Sequence, residues 1–142
     1  MPQIPPEIIR ASIKAGSVYY FPEESFSSSE PHYFVVLNRQ PHTDEVIVLA
    51  CGSSQIEKTL RRRPNRPPET FVIISPKEYE DFQVETIFDC NRTNDRILDV
   101  IMRKYSEGSL KVKTEMNMAL VERLRKGVIA SREIESRIKA LL

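Results

Sequence analysis

The chain has 142 residues, 40% hydrophobic and 29% charged, which is the size and balance of one globular domain with a modest core. No apolar run approaches the roughly 18 residues that cross a bilayer, and no basic-then-apolar start resembles a signal peptide, so a cytoplasmic protein is expected. Cys51 and Cys90 form no CxxC pair and have only His32 and His42 to help them, which argues against a disulfide scaffold or zinc finger; no metal and no cofactor is expected.

The net charge of +1 hides a division. Residues 1–92 carry −3 and residues 93–142 carry +4. More locally, Lys58, Arg61, Arg62, Arg63 and Arg66 follow one another with no acid among them, and Glu78, Glu80, Asp81, Glu85 and Asp89 with no base. A polyanion should meet the first group. All 10 prolines lie at or before Pro76, which predicts a turn-rich first part and a helix-rich second part of one domain.

In chain order, Glu7–Lys14 places Ile8, Ile9 and Ile13 at helical spacing behind prolines suited to a first turn, with Gly16 as the stop. Four apolar, β-branched and aromatic runs predict strands over Ser17–Phe21, Tyr33–Leu37, Val46–Ala50 and Phe71–Ile74, with Thr86–Phe88 as a fifth. The connections carry turn residues, including Ser27 to Ser29 and Pro41 to Asp44. From Asn94 the period becomes helical, with Ile97, Leu98, Ile101 and Tyr105 on one face up to Gly108, and Leu110–Lys113 then alternates like a short strand. Thr114 is positioned to cap a helix striped by Met116, Leu120, Val121 and Leu124 and closed by Gly127. Ser131 is positioned to cap a last one bearing Ile134, Ile138, Leu141 and Leu142. Short strands in sequence favour a small antiparallel barrel. The expected fold is α+β, a single domain over 1–142, with the barrel at about 15–113 and C-terminal helices at about 114–142.

The aromatic first strand Ala15-Gly16-Ser17-Val18-Tyr19-Tyr20-Phe21, a second strand ending Val35-Val36-Leu37, and a third ending in Gly52-Ser53-Ser54 resemble, in that order, the MazF/PemK family of toxin endoribonucleases. Phe71–Ile74 and Thr86–Asp89 resemble its later strands, and Gly108–Leu124 its closing turn and helix. The resemblance spans about residues 15–125. It implies an SH3-like barrel acting as a homodimer, cleaving single-stranded RNA without metal and neutralised by an antitoxin protein. Where the family carries Arg-Pro at its second strand, with the Arg serving catalysis, this chain reads Glu30-Pro31-His32-Tyr33. The family's Thr-Ser after the third strand reads Ser53-Ser54, and Arg96-Ile97 stands nearest to its Arg-Leu element.

Metal-free RNA cleavage needs a base for the ribose 2′-hydroxyl, an acid for the leaving 5′-oxygen, and cations or donors for the phosphate. His32 is the first candidate because imidazole takes or gives a proton near neutral pH; its alternative is a rim histidine anchored to a loop carbonyl. Ser53 and Ser54 follow Gly52 and either aim hydroxyls at a phosphate or turn the chain. Glu30 either orients His32, acts as base, or is simply solvated. Lys58, Arg61, Arg62, Arg63 and Arg66, on a Pro-rich and extended loop, suit a single strand's phosphates, or else only keep a loop soluble. Tyr19, Tyr20, Phe21, Phe26 and Tyr33 supply candidate stacking surfaces, roughly half of them core. Cys51 and Cys90 are expected as small buried hydrophobes. The expected function is a toxin-like endoribonuclease. Its alternative is a catalytically inactive barrel that binds nucleic acid or a protein partner, for which Glu78–Asp89 is the candidate surface.

Overall fold

Residues 4–23, 26 and 30–142 are described by the structure, a computed structural model; the predicted serine turn at 27–29 lies outside them. The elements are α1 (Pro6–Ser12), β1 (Val18–Pro22), β2 (Pro31–Val36), β3 (Ile47–Ser53), α2 (Ile56–Arg62), a 3-10 turn (Pro68–Thr70), β4 (Phe71–Ile74), β5 (Thr86–Asp89), β6 (Asn94–Arg96), α3 (Leu98–Ser106), β7 (Lys111–Lys113), α4 (Met118–Ala130) and α5 (Ser136–Lys139). Every predicted strand is present. α2 and β6 are additions to the expected set.

Among the described residues the strands form one antiparallel sheet in the order β4-β5-β3-β2-β1-β7, with β6 also on β3. This corrects the expected SH3-like barrel: the sheet is open, ending at β4 and β7, with no described ladder between them. The two end strands are only four and three residues long, so each offers a short edge for pairing, and α4 lies against β4.

Residues alternate between two apolar layers because successive strand side chains point to opposite faces. Val18, Val35, Leu37, Val48, Ala50 and Phe88 meet α4 and α5 through Leu120, Val121, Leu124, Val128, Ile138 and Leu142. Tyr19, Phe21, Phe34, Val36, Ile47 and Leu49 meet Ile9 and Ile13 of the N-terminal segment and Ile101, Met102 and Tyr105 of α3. Burial on both faces is why the middle strands read as unbroken apolar runs. Ile8 and Ile97, expected on buried helical faces, are 55% and 52% exposed. The last helix packs into the chain's own core, and Arg39 ties its end by donating from N to Leu141 O and from Nε to Leu142 O.

The helix boundaries of the C-terminal part differ from those expected. Asn117, not Thr114, caps α4, its Oδ1 accepting from Leu120 N at 3.0 Å. Gly127 lies inside α4 and does not end the helix; a Cβ there would come within 2.8 Å of Cys90 Sγ and 3.1 Å of Glu69 O, so the glycine permits close packing. Ser131 ends α4, and its Oγ serves Asn91 and Glu133, while α5 begins five residues later. Among the described residues, no helix is long and apolar enough to cross a membrane.

Several acids of the predicted partner surface work inside the molecule. Asp81 accepts from Thr114 N at 2.7 Å and Glu78 pairs with Arg123 at 2.6 Å. The Thr114 N–H holds Asp81 below its ordinary 3.8, and the Ser75 N–H, with Arg123 adding to it, holds Glu78 below its ordinary 4.5. Arg125 and Arg66 do the same for Glu122 and Glu133. A carboxylate depressed by folding stabilises fully above its unfolded value and loses that contribution as pH falls through the folded one. Melting temperature should therefore fall as pH drops from about 4.5 through the depressed values, and Asp81→Asn should flatten the lower part of that fall. The slope will be shallow because these groups are near solvent. An unchanged profile in Asp81→Asn would show that the Thr114 contact contributes nothing.

Candidate functional site

A cleft of about 560 Å³ opens where β2 and β3 meet α2 and the segment after β5. Antiparallel partners point to the same side, so the pairings Phe34↔Cys51 and Ser53↔Ile87 place His32, Cys51, Ser53 and Ile87 on one face of the sheet. All four line the cleft, with Glu30 and Ser54 beside them. Two strand ends thus bring together all four residues predicted for catalysis.

The His32 ring meets Phe26 edge-on at 5.0 Å between centroids. Its Nδ1 is enclosed and has no hydrogen-bond partner among the described residues, so the loop-carbonyl anchor weighed as its alternative is not made at that nitrogen. Ser53 Oγ accepts from Gln55 N at 3.1 Å, a local turn that leads into α2. Gly52 is a strand residue rather than a turn glycine: a Cβ would stand 2.7 Å from Thr86 Cγ2 and 2.8 Å from Phe88 Cζ, so its absence lets β5 approach β3.

The cationic segment is not the extended loop expected. Residues 56–62 are helical, with Thr59 buried and its Oγ1 donating to Gln55 O at 2.8 Å. Spacing of i, i+4 sets Lys58 and Arg62 on one side of α2, and both line the cleft, whereas Arg61 does not. Arg63 and Arg66 are engaged elsewhere. Arg63 Nε lies 2.8 Å from Asp89 Oδ2 and its Nη1 3.3 Å from Glu133, and Arg66 holds Glu133 through Nε and Nη2 at 2.6 and 3.0 Å. Of the five predicted cations, two therefore face the cleft.

The aromatic candidates divide in the same way. Tyr19 and Phe21 are core residues, 2% and 1% exposed, while Tyr20, Phe26 and Tyr33 line the cleft. Tyr20 and Tyr33 are cross-strand partners with ring centroids 4.6 Å apart. Lys113 Nζ stands 5.3 Å from the Tyr20 centroid, and Tyr33 is fixed by donating to Asp81 O. Burial pushes the thiols of Cys51 and Cys90 up to about 12, so both are protonated at neutral pH and neither is poised as a nucleophile.

Among the cleft residues that were not anticipated are Arg92 and Asn94. The available signal was a basic residue directly after Cys90-Asn91 at a strand end, but nothing local shows which way it faces. Among the described residues, no group of three or more His, Cys, Asp or Glu is placed to hold a metal ion.

No known family model matches the chain, and no curated protein matches it.

Proposed function

We propose that the cleft binds single-stranded RNA and cleaves it by internal transesterification. The observation that carries this reading is the convergence, in one concave site, of His32, Ser53 and Ser54 with Lys58, Arg62 and Arg92 and with the ring of Phe26, while Tyr20 and Tyr33 border it from the other face of the sheet. Cations for phosphates and rings for bases are the two requirements of single-strand binding. In the reaction the ribose 2′-oxygen gives its proton to His32 and forms a bond to phosphorus. The bond to the 5′-oxygen breaks, and that oxygen takes a proton from water while His32 returns its own to solvent, leaving a 2′,3′-cyclic phosphate and a 5′-hydroxyl. Glu30 assists the proton transfers, and the positive charge of the cleft offsets the charge that grows on the phosphate. As the MazF/PemK resemblance implies, the working unit in this reading is a cytoplasmic homodimer neutralised by an antitoxin protein.

A binding-only cleft is the second reading, favoured by Ser53 Oγ already accepting from Gln55 N. Incubating the protein with end-labelled single-stranded RNA in EDTA separates the two. Fragments ending in a 2′,3′-cyclic phosphate are expected. Bound but intact RNA would favour the second reading, and RNA neither bound nor cut would overturn both.

A further inference from the structure

We propose that Arg92 is a phosphate-binding residue of the cleft, presented by a rigid bulge built for that purpose; the inference deepens the RNA reading above and rests on it. β5 and β6 follow the same edge of β3 but in different registers. Phe88 stands opposite Gly52, and the ladder resumes with Asn94 opposite Leu49. Residues 89–93 must therefore pass opposite Ala50 and Cys51 alone, and the excess is thrown out of the ladder as a bulge.

Buried polar groups hold that bulge in place. Asn91, 4% exposed, donates from Nδ2 to Thr70 Oγ1 at 2.9 Å and to Asp89 Oδ1 at 3.0 Å, and its Oδ1 accepts from Ser131 Oγ at 2.8 Å. Cys90 N donates to Thr70 O at 2.8 Å. The turn before β4, the bulge and the end of α4 are thereby tied together next to the position that carries Arg92 into the cleft. A side chain whose backbone is fixed on several sides meets a ligand without the cost of ordering that backbone.

Charge bookkeeping within the cleft points the same way. Asp89 is the acid of the bulge, but its Oδ2 faces Arg63 and its Oδ1 accepts twice from Asn91. Arg63, Arg66 and Arg96 all have carboxylate partners; Arg92, exposed and lining the cleft, has none within 4.0 Å among the described residues. It also opposes the upward shift of the Cys51 thiol on the cleft floor, so its charge is felt there. With Lys58 and Arg62 on the facing helix, Arg92 puts positive charge on a second wall of the cleft.

The test is titration of a fluorescent 2′-O-methyl RNA, which binds but cannot be cut, at several salt concentrations. Arg92→Ala should weaken binding about tenfold and lower the salt slope by about 0.7, the value of one phosphate contact on a single strand. Arg92→Lys should keep the slope, and Lys126→Ala, on the exposed side of α4, should match the wild type. Unchanged affinity and slope in Arg92→Ala, with wild type binding normally, would overturn the role of Arg92 and leave the RNA reading intact. Failure of the wild type to bind would overturn both. Arg92 is exposed, so thermal melting of each variant should coincide with the wild type and exclude misfolding as the cause.

Discussion

On the proposed reading, His32→Ala should lower RNA cleavage by about 10²- to 10⁴-fold, the range expected for loss of a positioned general acid or base, and should leave affinity for the uncleavable 2′-O-methyl RNA close to wild type. The two outcomes should differ because the role proposed for His32 is proton transfer, whereas the phosphate grip is proposed for Lys58, Arg62 and Arg92, which line the same cleft. His32 sits opposite Phe21 in the β1–β2 ladder and edge-on to Phe26, so truncation removes a ring from a fixed place without disturbing the strand that carries it. His32→Gln sharpens the result. It keeps hydrogen-bonding capacity but cannot shuttle a proton, so its rate should fall with that of the alanine variant. Cleavage at wild-type rate in His32→Ala would remove this residue from the chemistry and shift the proton transfers to Glu30.

The parts of the molecule legible in the sequence are those where one local signal has one meaning. The strands β1 to β5 announced themselves because their residues are buried on one or both faces, and the stripe Leu120, Val121 and Leu124 of α4 because it recurs at helical period. α2 was concealed because only Thr59 of its seven residues is buried, so it lacks an apolar stripe and its basic side chains suggest a solvated loop. β6 was concealed because Asn94, Asp95 and Arg96 pair through the backbone alone. Sheet closure is not a local property at all: the same short strands can end in a barrel or in an open sheet, depending on whether the two end strands meet.

The site divides along the same line. Glu30, His32, Ser53 and Ser54 could be named from sequence because they lie at the ends of recognisable strands. The fate of each cation could not, because it depends on partners far away in the chain. Arg63 and Arg66 look like phosphate ligands until Glu133 is brought beside them, and Arg92 looks like a turn residue until Asn91 is fixed by Thr70 and Ser131.

Gly16→Ala should destabilise the fold by roughly 2–5 kcal/mol, a large share of the stability of a domain this size. Two independent costs add at this position. Its φ of +92° is one that L side chains rarely adopt, and a Cβ built there would stand 2.6 Å from Met116 O. The backbone cannot slide away cheaply, because Gly16 N donates to Val36 O and Gly16 O accepts from Met116 N, both at 2.8 Å, joining β1, β2 and the entry to α4. Gly108→Ala supplies the comparison: φ is +82° there too, but nothing lies within 4 Å of the new Cβ, so only the conformational cost of roughly 1 kcal/mol remains. Thermal melting of the two variants should therefore place Gly16→Ala several degrees below Gly108→Ala. Equal melting temperatures would show that the Met116 carbonyl yields freely, and that the junction of the sheet with α4 is looser than its hydrogen bonds require.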